Sequence, residues 1–238
     1  MKTEEELIWE SYNTKQIINN PNFKKWFGDS KVVDKNGDPL LVYHGTNITF
    51  DVFDIKKIGN STGTAHGAGF YFAEEKNIAG GYSKNEKNII EAYLSIQKPL
   101  DSNSKSFNLN QLIKIIDNLI SIEIEKYPDE NINYKDTFIS NYTDTYTDQS
   151  RSVSVRKTAS IIHNHNDNIL DQIGELWNTS GKGGNVFKTI KNTLGYDSVK
   201  IRDFQNSGSS IYVVWEPTQI KSIYNNGNFD PNNPNITK

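Results

Sequence analysis

Two short stretches decide the fold: VYHGT at residues 42–46 and GFYFA at residues 69–73. In both, apolar and aromatic side chains lie next to a glycine, and the second stretch on its own would pass as an ordinary buried strand. The residues between them are rich in Gly, Ser and Thr and predict a loop long enough to be functional. The sequence predicts two strands, with His44 ending the first and Tyr71 in the second.

The first strand is predicted to belong to a hairpin. Residues 31–34 and 40–44 look like its two strands, and KNGD at residues 35–38 contains the Asn-Gly pair of a tight turn. After a helical turn at residues 76–82, the apolar run IIEAYLSI at residues 89–96 predicts a further buried strand.

More strands are predicted at residues 198–201 and 211–215, whereas the stretch before them has helical spacing. The clearest helix is LNQLIKIIDNLISIEI at residues 109–124, followed by a polar tract at residues 137–154. We interpret residues 101–192 as a mainly helical insertion, which gives an α+β fold in a single domain spanning the whole chain.

The two ends of the chain are predicted to pack onto this domain. Residues 1–28 read as a helical cap, with a short helix at residues 4–19 and an amphipathic turn at residues 22–29. The Asn/Pro-rich tail at residues 225–238 is expected to be ordered only where it packs.

Composition excludes several functional classes. The net charge of −3 argues against a broadly basic nucleic-acid-binding surface. The absence of cysteine excludes disulfides, a thiolate nucleophile and Cys-ligated zinc. The acidic N-terminus is unlike a secretory signal, and no stretch approaches the length of a membrane span. We therefore expect no membrane partner and a cytoplasmic location, in a bacterial cell or a phage-infected host.

Four motifs carry a family resemblance: VYHGT, GAGFYFAEEKNIAGGY, YDSVKIRD and IYVVWEPTQIKSI. Together they resemble the ADP-ribosyltransferase domains of phage and mobile-element polyvalent proteins, which are similar to the diphtheria-toxin and poly(ADP-ribose) polymerase branch. The resemblance covers about residues 22–100 and 193–236. It implies a split β-sandwich with NAD in the cleft, decorated here by the helical insertion.

The resemblance assigns roles to four residues. His44 would hydrogen-bond a ribose hydroxyl of NAD, and the backbone of Gly45 would hold the nicotinamide carboxamide, which requires close backbone approach. Tyr71 and Tyr82 are eleven positions apart, as are the two rings that sandwich nicotinamide in the family. The same resemblance includes Thr46 in the pocket.

The glycine-rich loop is the next part of the predicted pocket. Gly67 and Gly69 would let the loop fold over the dinucleotide. His66, in the same loop, could touch a phosphate or the adenine ribose, although a solvated loop position accounts for it equally simply.

The third position of the family's His-Tyr-Glu pattern departs from it. Ile211 stands where polymerase-type enzymes carry the catalytic glutamate, which resembles the His-Tyr-Ile pattern of mono-ADP-ribosyltransferases and predicts single transfers. Glu216 is a candidate replacement carboxylate, with Gln219 the other nearby polar residue, but turn or capping duty is an alternative for both. Arg202 and Asp203 adjoin residues 204–208, a loop where an acceptor could dock.

The predicted function is transfer of one ADP-ribose from NAD to a macromolecular acceptor, protein or nucleic acid. A nucleic-acid acceptor stays open because of local lysines: Lys56, Lys57, Lys182, Lys188 and Lys191. The alternatives are an NAD glycohydrolase and an inactive binding module. A phage effector, a toxin with its antitoxin or regulator protein, and an antiphage defence factor would all fit.

A metal cofactor is not expected. His163 and His165 form an HxH pair, but neither a carboxylate nor a third histidine has ligand-like spacing around them. NAD would therefore act as substrate without a metal.

Overall fold

The computed structural model describes residues 14–58, 69–83, 88–126, 151–165, 168–179, 185–202 and 207–238. The described residues fall into two compact units. One lies within residues 1–61, 69–99 and 197–238, and the other within residues 62–68 and 100–196.

The sheet has seven strands in the order β4-β5-β6-β2-β1-β3-β7, and six of them lie wholly within the first unit. The strands are β1 Val42–Gly45, β2 Phe70–Ala73, β3 Ile89–Leu94, β4 Pro99–Asp101, β5 Ser198–Ile201, β6 Ile211–Val214 and β7 Ile220–Ser222. The strands expected at residues 89–96, 198–201 and 211–215 are therefore confirmed, within a residue or two at their ends.

The sheet is nearly divided between β1 and β2. Over the described residues, these strands are in register only where Tyr43 lies opposite Ala73. On either side the antiparallel ladders are longer, since β1 pairs with β3 at four positions and β2 pairs with β6 at four positions. The result is two ladders joined at one register position, consistent with the split sheet that the sequence predicts.

Side chains alternate between two faces of this sheet. The core face carries Phe70, Phe72, Tyr212 and Val214, which pack with buried residues of β1 and β3. We call the other side the tyrosine face; along β1, β2 and β6 it carries Tyr43, Gly45, Tyr71, Ala73, Ile211 and Val213. Burial of each large core side chain contributes about 2 kcal/mol, so the core face fixes the alternation of the strands.

A short helix, α1 Pro21–Phe27, packs beside β3. The Asn20 side chain caps it by accepting hydrogen bonds from the backbone N–H groups of Asn22 and Phe23. The Phe23 ring lies 5.1 Å from that of Tyr93 and 5.2 Å from that of Phe229. The amphipathic turn expected at residues 22–29 is confirmed, and residues 14–19 before it are also helical.

The C-terminal tail is tied to β7 by a buried lysine. The Lys221 ammonium donates hydrogen bonds to the main-chain oxygens of Asn233, Asn235 and Lys238, at 2.8, 3.0 and 2.7 Å. Ile236 is buried in the core beside these bonds. The tail is therefore packed against the sheet at both polar and apolar points.

The predicted hairpin is only partly present. Residues 31–34 do not form a strand; the structure has one isolated bridge, between Val33 and Pro39, around the turn at Asp34–Asp38. The ladder does not extend because the backbone N–H groups of Lys31 and Val32 donate elsewhere, to the Ile96 carbonyl at 2.6 Å and to Ser30 Oγ at 3.3 Å. His44 is nevertheless the second-last residue of β1.

The second unit is helical. Its described helices are α3 Leu109–Lys126, α4 Arg151–His165, α5 Ile169–Thr179 and α6 Asn185–Leu194, while α2 Lys76–Gly80 belongs to the first unit. α3 packs against α4 and α6 through a fully buried apolar stripe that includes Leu112, Ile116 and Leu119. The polar tract at residues 137–154 lies outside the described residues up to position 150.

No helix in the described part of the chain combines the length and the apolar character that a membrane crossing requires.

Candidate functional site

His44 links the two ladders where they separate. Its Nδ1 lies 2.8 Å from the carbonyl oxygen of Tyr71 on the neighbouring strand. Because a carbonyl oxygen only accepts, Nδ1 carries the proton and donates it. In the neutral ring, Nε2 is then left with a lone pair and acts as an acceptor.

Aromatic rings surround the His44 imidazole on the core face. Ring centroids of Phe53 and Phe72 lie 5.0 and 5.3 Å from it, and the Phe50 ring lies 4.9 Å from that of Phe53. Burial lowers the pKa of His44 below its usual 6.5, although the hydrogen bond to Tyr71 acts in the opposite direction. The ring is therefore held neutral and fixed in one tautomer.

The sequence analysis missed Phe50 and Phe53 as part of this environment. Their signal was the motif TFDVF at residues 49–53, which places two aromatic rings three positions apart in a stretch read as loop. Aromatic residues in a polar loop are expected to pack onto something, and here they pack around His44.

Gly45 is required by the close approach of α2. A Cβ atom at this position would lie 1.9 Å from the carbonyl oxygen of Ala79, so any side chain would displace the helix. The same Cβ position is 3.3 Å from the Cβ of Tyr82, whose N–H donates to the Ala79 carbonyl at 3.1 Å. The absence of a side chain at Gly45 thus brings Tyr82 against the end of β1.

Gly45, Tyr71 and Tyr82 lie on the same side of the sheet, the tyrosine face. Tyr43 lies opposite Ala73, and because side chains alternate, Gly45 and Tyr71 point to the same side of the sheet. Tyr71 is half-buried there, whereas Tyr82 is 50% exposed. This part of the structure therefore presents a backbone position without a side chain beside two aromatic residues, at the point where the ladders separate.

The remaining predicted pocket residues are held by local contacts. The Thr46 hydroxyl donates to the carbonyl of Ile48 at 3.1 Å and so stabilises the turn after β1. A Cβ at Gly69 would lie 2.4 Å from Val213 Cγ1 and 2.9 Å from the Val214 carbonyl, so Gly69 allows β2 to pack against β6. Gly67 and His66 lie outside the described residues.

A comparison with protein families gives a match over most of the chain. The family described as "ADP-Ribosyltransferase in polyvalent proteins" matches residues 34–229 of the 238-residue chain. The chain belongs to this family. Comparisons with curated proteins and with solved structures find no match. The resemblance carried by the four motifs is therefore confirmed, and the matched span also includes the helical stretch between them.

In this ADP-ribosyltransferase domain, Ile211 lies at the start of β6, on the same face as Tyr71. It is opposite Ala73 of β2 and Ile201 of β5, and it is 3% exposed. An apolar side chain there has no group that hydrogen-bonds a ribose hydroxyl. The assignment of Ile211 to the position of the family's glutamate stays a prediction.

Glu216 lies beyond the other end of β6. It precedes the 3₁₀ turn Pro217–Gln219, and its backbone N–H donates to Oε1 of Gln219 at 3.1 Å. It is five positions after Ile211, about 16 Å along an extended chain. The structure gives Glu216 a place in a turn, and a catalytic part for it stays a prediction.

Other predicted residues are spread more widely. Lys56, Lys57, Lys188 and Arg202 are exposed and Lys191 is half-buried, whereas Lys182, Asp203 and residues 204–206 lie outside the described part. His163 Nδ1–H donates to the carbonyl of Phe107 at 3.2 Å within the helical unit. Among the described residues, no group of three or more His, Asp or Glu side chains is arranged to hold a metal ion.

Two surface depressions among the described residues lie elsewhere, between α1 and the tail. One is lined by Trp26 and Asp230 and the other by Asn19 and Asn226, and Phe229 borders both. Neither includes a residue predicted to bind NAD. The chemistry of the tyrosine face, rather than surface concavity, therefore identifies the candidate site.

Proposed function

We propose that this domain is an NAD-dependent mono-ADP-ribosyltransferase. It would break the bond between nicotinamide and the ribose C1′ of NAD, with the bonding electron pair leaving on the nicotinamide ring. A nucleophile of a macromolecular acceptor, protein or nucleic acid, would then form a bond to C1′ and lose its proton to water. Family membership supports ADP-ribosyl transfer, and the residues at the junction of β1 and β2 support the finer assignment.

One observation supports this proposal above the others: the hydrogen bond from His44 Nδ1–H to the Tyr71 carbonyl. It orients a neutral imidazole so that Nε2 accepts, which is the state required to receive a hydrogen bond from a ribose hydroxyl. Fixing the ribose while the leaving group departs lowers the entropic cost of reaching the transition state.

Nicotinamide would bind on the tyrosine face. Gly45 would hold the carboxamide through its backbone, and the rings of Tyr71 and Tyr82 would stack on the cationic pyridinium of NAD. An aromatic face attracts a cation, and this attraction is lost as the ring becomes neutral. The exposed position of Tyr82 fits a residue that a ligand covers.

A single transfer, rather than polymer synthesis, follows from the apolar side chain of Ile211. Elongation needs a group that polarises a hydroxyl of the ribose already attached, and isoleucine offers none. A carboxylate of the acceptor is proposed to assist in its place, and Glu216 is the alternative. Such an enzyme would serve as a phage-related effector, a toxin controlled by an antitoxin or regulator, or an antiphage defence factor, acting in the cytoplasm.

The proposal is tested by incubating the protein with NAD labelled in its adenylate part and with cell lysate. Label that disappears with protease identifies a protein acceptor, and label that disappears with nuclease identifies a nucleic acid. Free ADP-ribose without labelled macromolecule would instead identify a glycohydrolase.

Variants at the site decide whether the domain is catalytic. We expect His44→Ala and Tyr71→Ala each to lower nicotinamide release at least about 100-fold, because both remove groups that orient NAD. Tyr224→Ala, at an exposed tyrosine of the same unit, is the matched control and should leave the rate unchanged. A wild-type protein that releases no nicotinamide from NAD would exclude the proposal in favour of a binding module.

A further inference from the structure

A polar cluster on the core face joins β2, β5 and β6. The Glu74 carboxylate accepts a hydrogen bond from the Tyr212 hydroxyl and another from the backbone N–H of Ser210, each at 2.9 Å. The Lys200 ammonium lies 3.9 Å from Glu74 Oε1 and 5.0 Å from the centre of the Tyr212 ring. The family motifs assign none of these groups a role.

The cluster is partly shielded from water. Tyr212 is fully buried, and the side chains of Lys200 and Glu74 are 16% and 24% exposed. A partly buried carboxylate is held most firmly where several donors face it, and Glu74 has two neutral donors and one cation. Its geometry is therefore determined by the fold rather than by chance encounters at a surface.

The two donors bracket Ile211. Ser210 precedes it and Tyr212 follows it, so Glu74 binds β6 on both sides of this one position. The backbone adds a third bond, from the Glu74 N–H to the Ser210 carbonyl at 3.1 Å. Because side chains alternate, Ile211 points to the tyrosine face while Glu74 acts from the core face.

From this geometry we infer that Glu74 is a positioning residue that holds Ile211 and the start of β6 in register with Tyr71. The inference rests on the proposed function, in which Tyr71 forms a wall of the nicotinamide site. Glu74 itself does not contact the substrate. Glu74 fixes the spacing of β2 and β6. In the proposed complex, Tyr71 of β2 borders the leaving nicotinamide and Ile211 of β6 borders the reacting ribose.

The test compares Glu74→Gln with Glu75→Gln. Glutamine removes the negative charge that Lys200 and both donors face, and it can accept only one of the two hydrogen bonds. If its oxygen accepts from the Ser210 N–H, the Tyr212 hydroxyl must turn to accept from the amide NH2 group. Glu75 is the exposed neighbour, so its variant makes the same change of charge without touching β6. Nicotinamide release from NAD is measured at a temperature at which circular dichroism shows each variant to be folded.

We expect Glu74→Gln to lower kcat about tenfold while KM for NAD changes less than about threefold, since His44, Gly45 and Tyr82 are not disturbed. Glu75→Gln should match the wild type. Tyr212→Phe, which removes one of the bonds and keeps the ring, should lower kcat about threefold and serves if Glu74→Gln does not fold. In hydrogen exchange, residues 207–214 of Glu74→Gln should exchange faster than in wild type, with residues 42–46 unchanged.

A wild-type enzyme with Glu74→Gln or Tyr212→Phe variants as active as Glu75→Gln would overturn this inference alone. So would a lower melting temperature with an unchanged kcat, which a purely structural role predicts. A wild-type protein without NAD cleavage would instead overturn the proposed function, and this inference with it.

Discussion

The junction of β1 and β2 differs sharply from the start of β6, although both border the tyrosine face. At the junction, two residues make specific close contacts. The buried imidazole of His44 is hydrogen-bonded to a backbone carbonyl, and Gly45 lies against a carbonyl of α2. The start of β6 has the apolar Ile211, and Glu74 is hydrogen-bonded to both of its neighbours, Ser210 and Tyr212, on the core face. Under the proposed function, the first region would bind NAD, and the second would have an apolar side chain where polymer synthesis needs a carboxylate.

The largest effect on this difference between the two regions is expected from a change at Gly45. We expect Gly45→Ala to lower nicotinamide release more than about 100-fold, because the new Cβ would meet the Ala79 carbonyl at 1.9 Å and displace α2 with Tyr82. Gly81→Ala is the control in the same turn, since its nearest neighbour would be 3.5 Å away. Equal activity of the two variants would show that the seating of α2 does not matter.

A variant far from both regions separates folding from chemistry. Lys221→Met leaves the main-chain oxygens of Asn233, Asn235 and Lys238 without their buried donor. We expect a loss of about 2 kcal/mol in the free energy of unfolding, measured with urea, and an unchanged kcat at low temperature. A kcat that fell with stability would mean that the tail influences the site.

The protonation of His44 sharpens the comparison through pH. Burial lowers the pKa of His44 below 6.5 in the folded chain. Between the folded and the unfolded pKa, His44 is therefore protonated in the unfolded chain and neutral in the folded chain. Stability therefore falls as the pH decreases from 6.5 towards the folded pKa. Below the folded pKa, Nε2 is protonated and no longer accepts, and kcat/KM should fall about tenfold per pH unit.

Two measurements check this prediction. Thermal unfolding of wild type and His44→Gln between pH 5 and 7.5 should show the loss of stability in the wild type only. The pH profile of kcat/KM should have its acidic inflection below 6.5. An inflection above 6.5 would show that the aromatic environment does not keep His44 neutral.

The smallest effect is expected at Glu216. Its backbone belongs to the turn with Gln219, so we expect Glu216→Gln to change kcat less than about threefold. Gln219→Ala is the companion variant, since it removes bonds to the carbonyls of Ser95 and Asp197 and should affect stability instead. A drop of tenfold or more in Glu216→Gln would identify this carboxylate as the substitute for the missing glutamate.

Much of the site's neighbourhood was predictable because its residue types are unusual for their positions. A glycine after His44 fits the close approach of α2 that the structure shows, whereas the assignment of Tyr71 as a ligand-facing ring came from the family resemblance and stays a prediction. The hairpin was predicted only in part, because the N–H groups of Lys31 and Val32 bond to Ile96 and to Ser30 Oγ instead of extending a second strand. Those bonds depend on where Ile96 and the Ser30 hydroxyl lie in the fold, which the Asn-Gly turn does not indicate.

The sequence by itself determined the helical character of residues 109–124, the family, and the positions along the chain of β1, β2, β3, β5 and β6, but not of β4 or β7. These depend on local periodicity and on motifs, which are properties of neighbouring residues. Only the tertiary structure decided which groups act on one another: the Tyr71 carbonyl on His44, the Ala79 carbonyl on Gly45, and Glu74 on both neighbours of Ile211. Those contacts depend on strand register and helix seating, which no local pattern in the chain specifies.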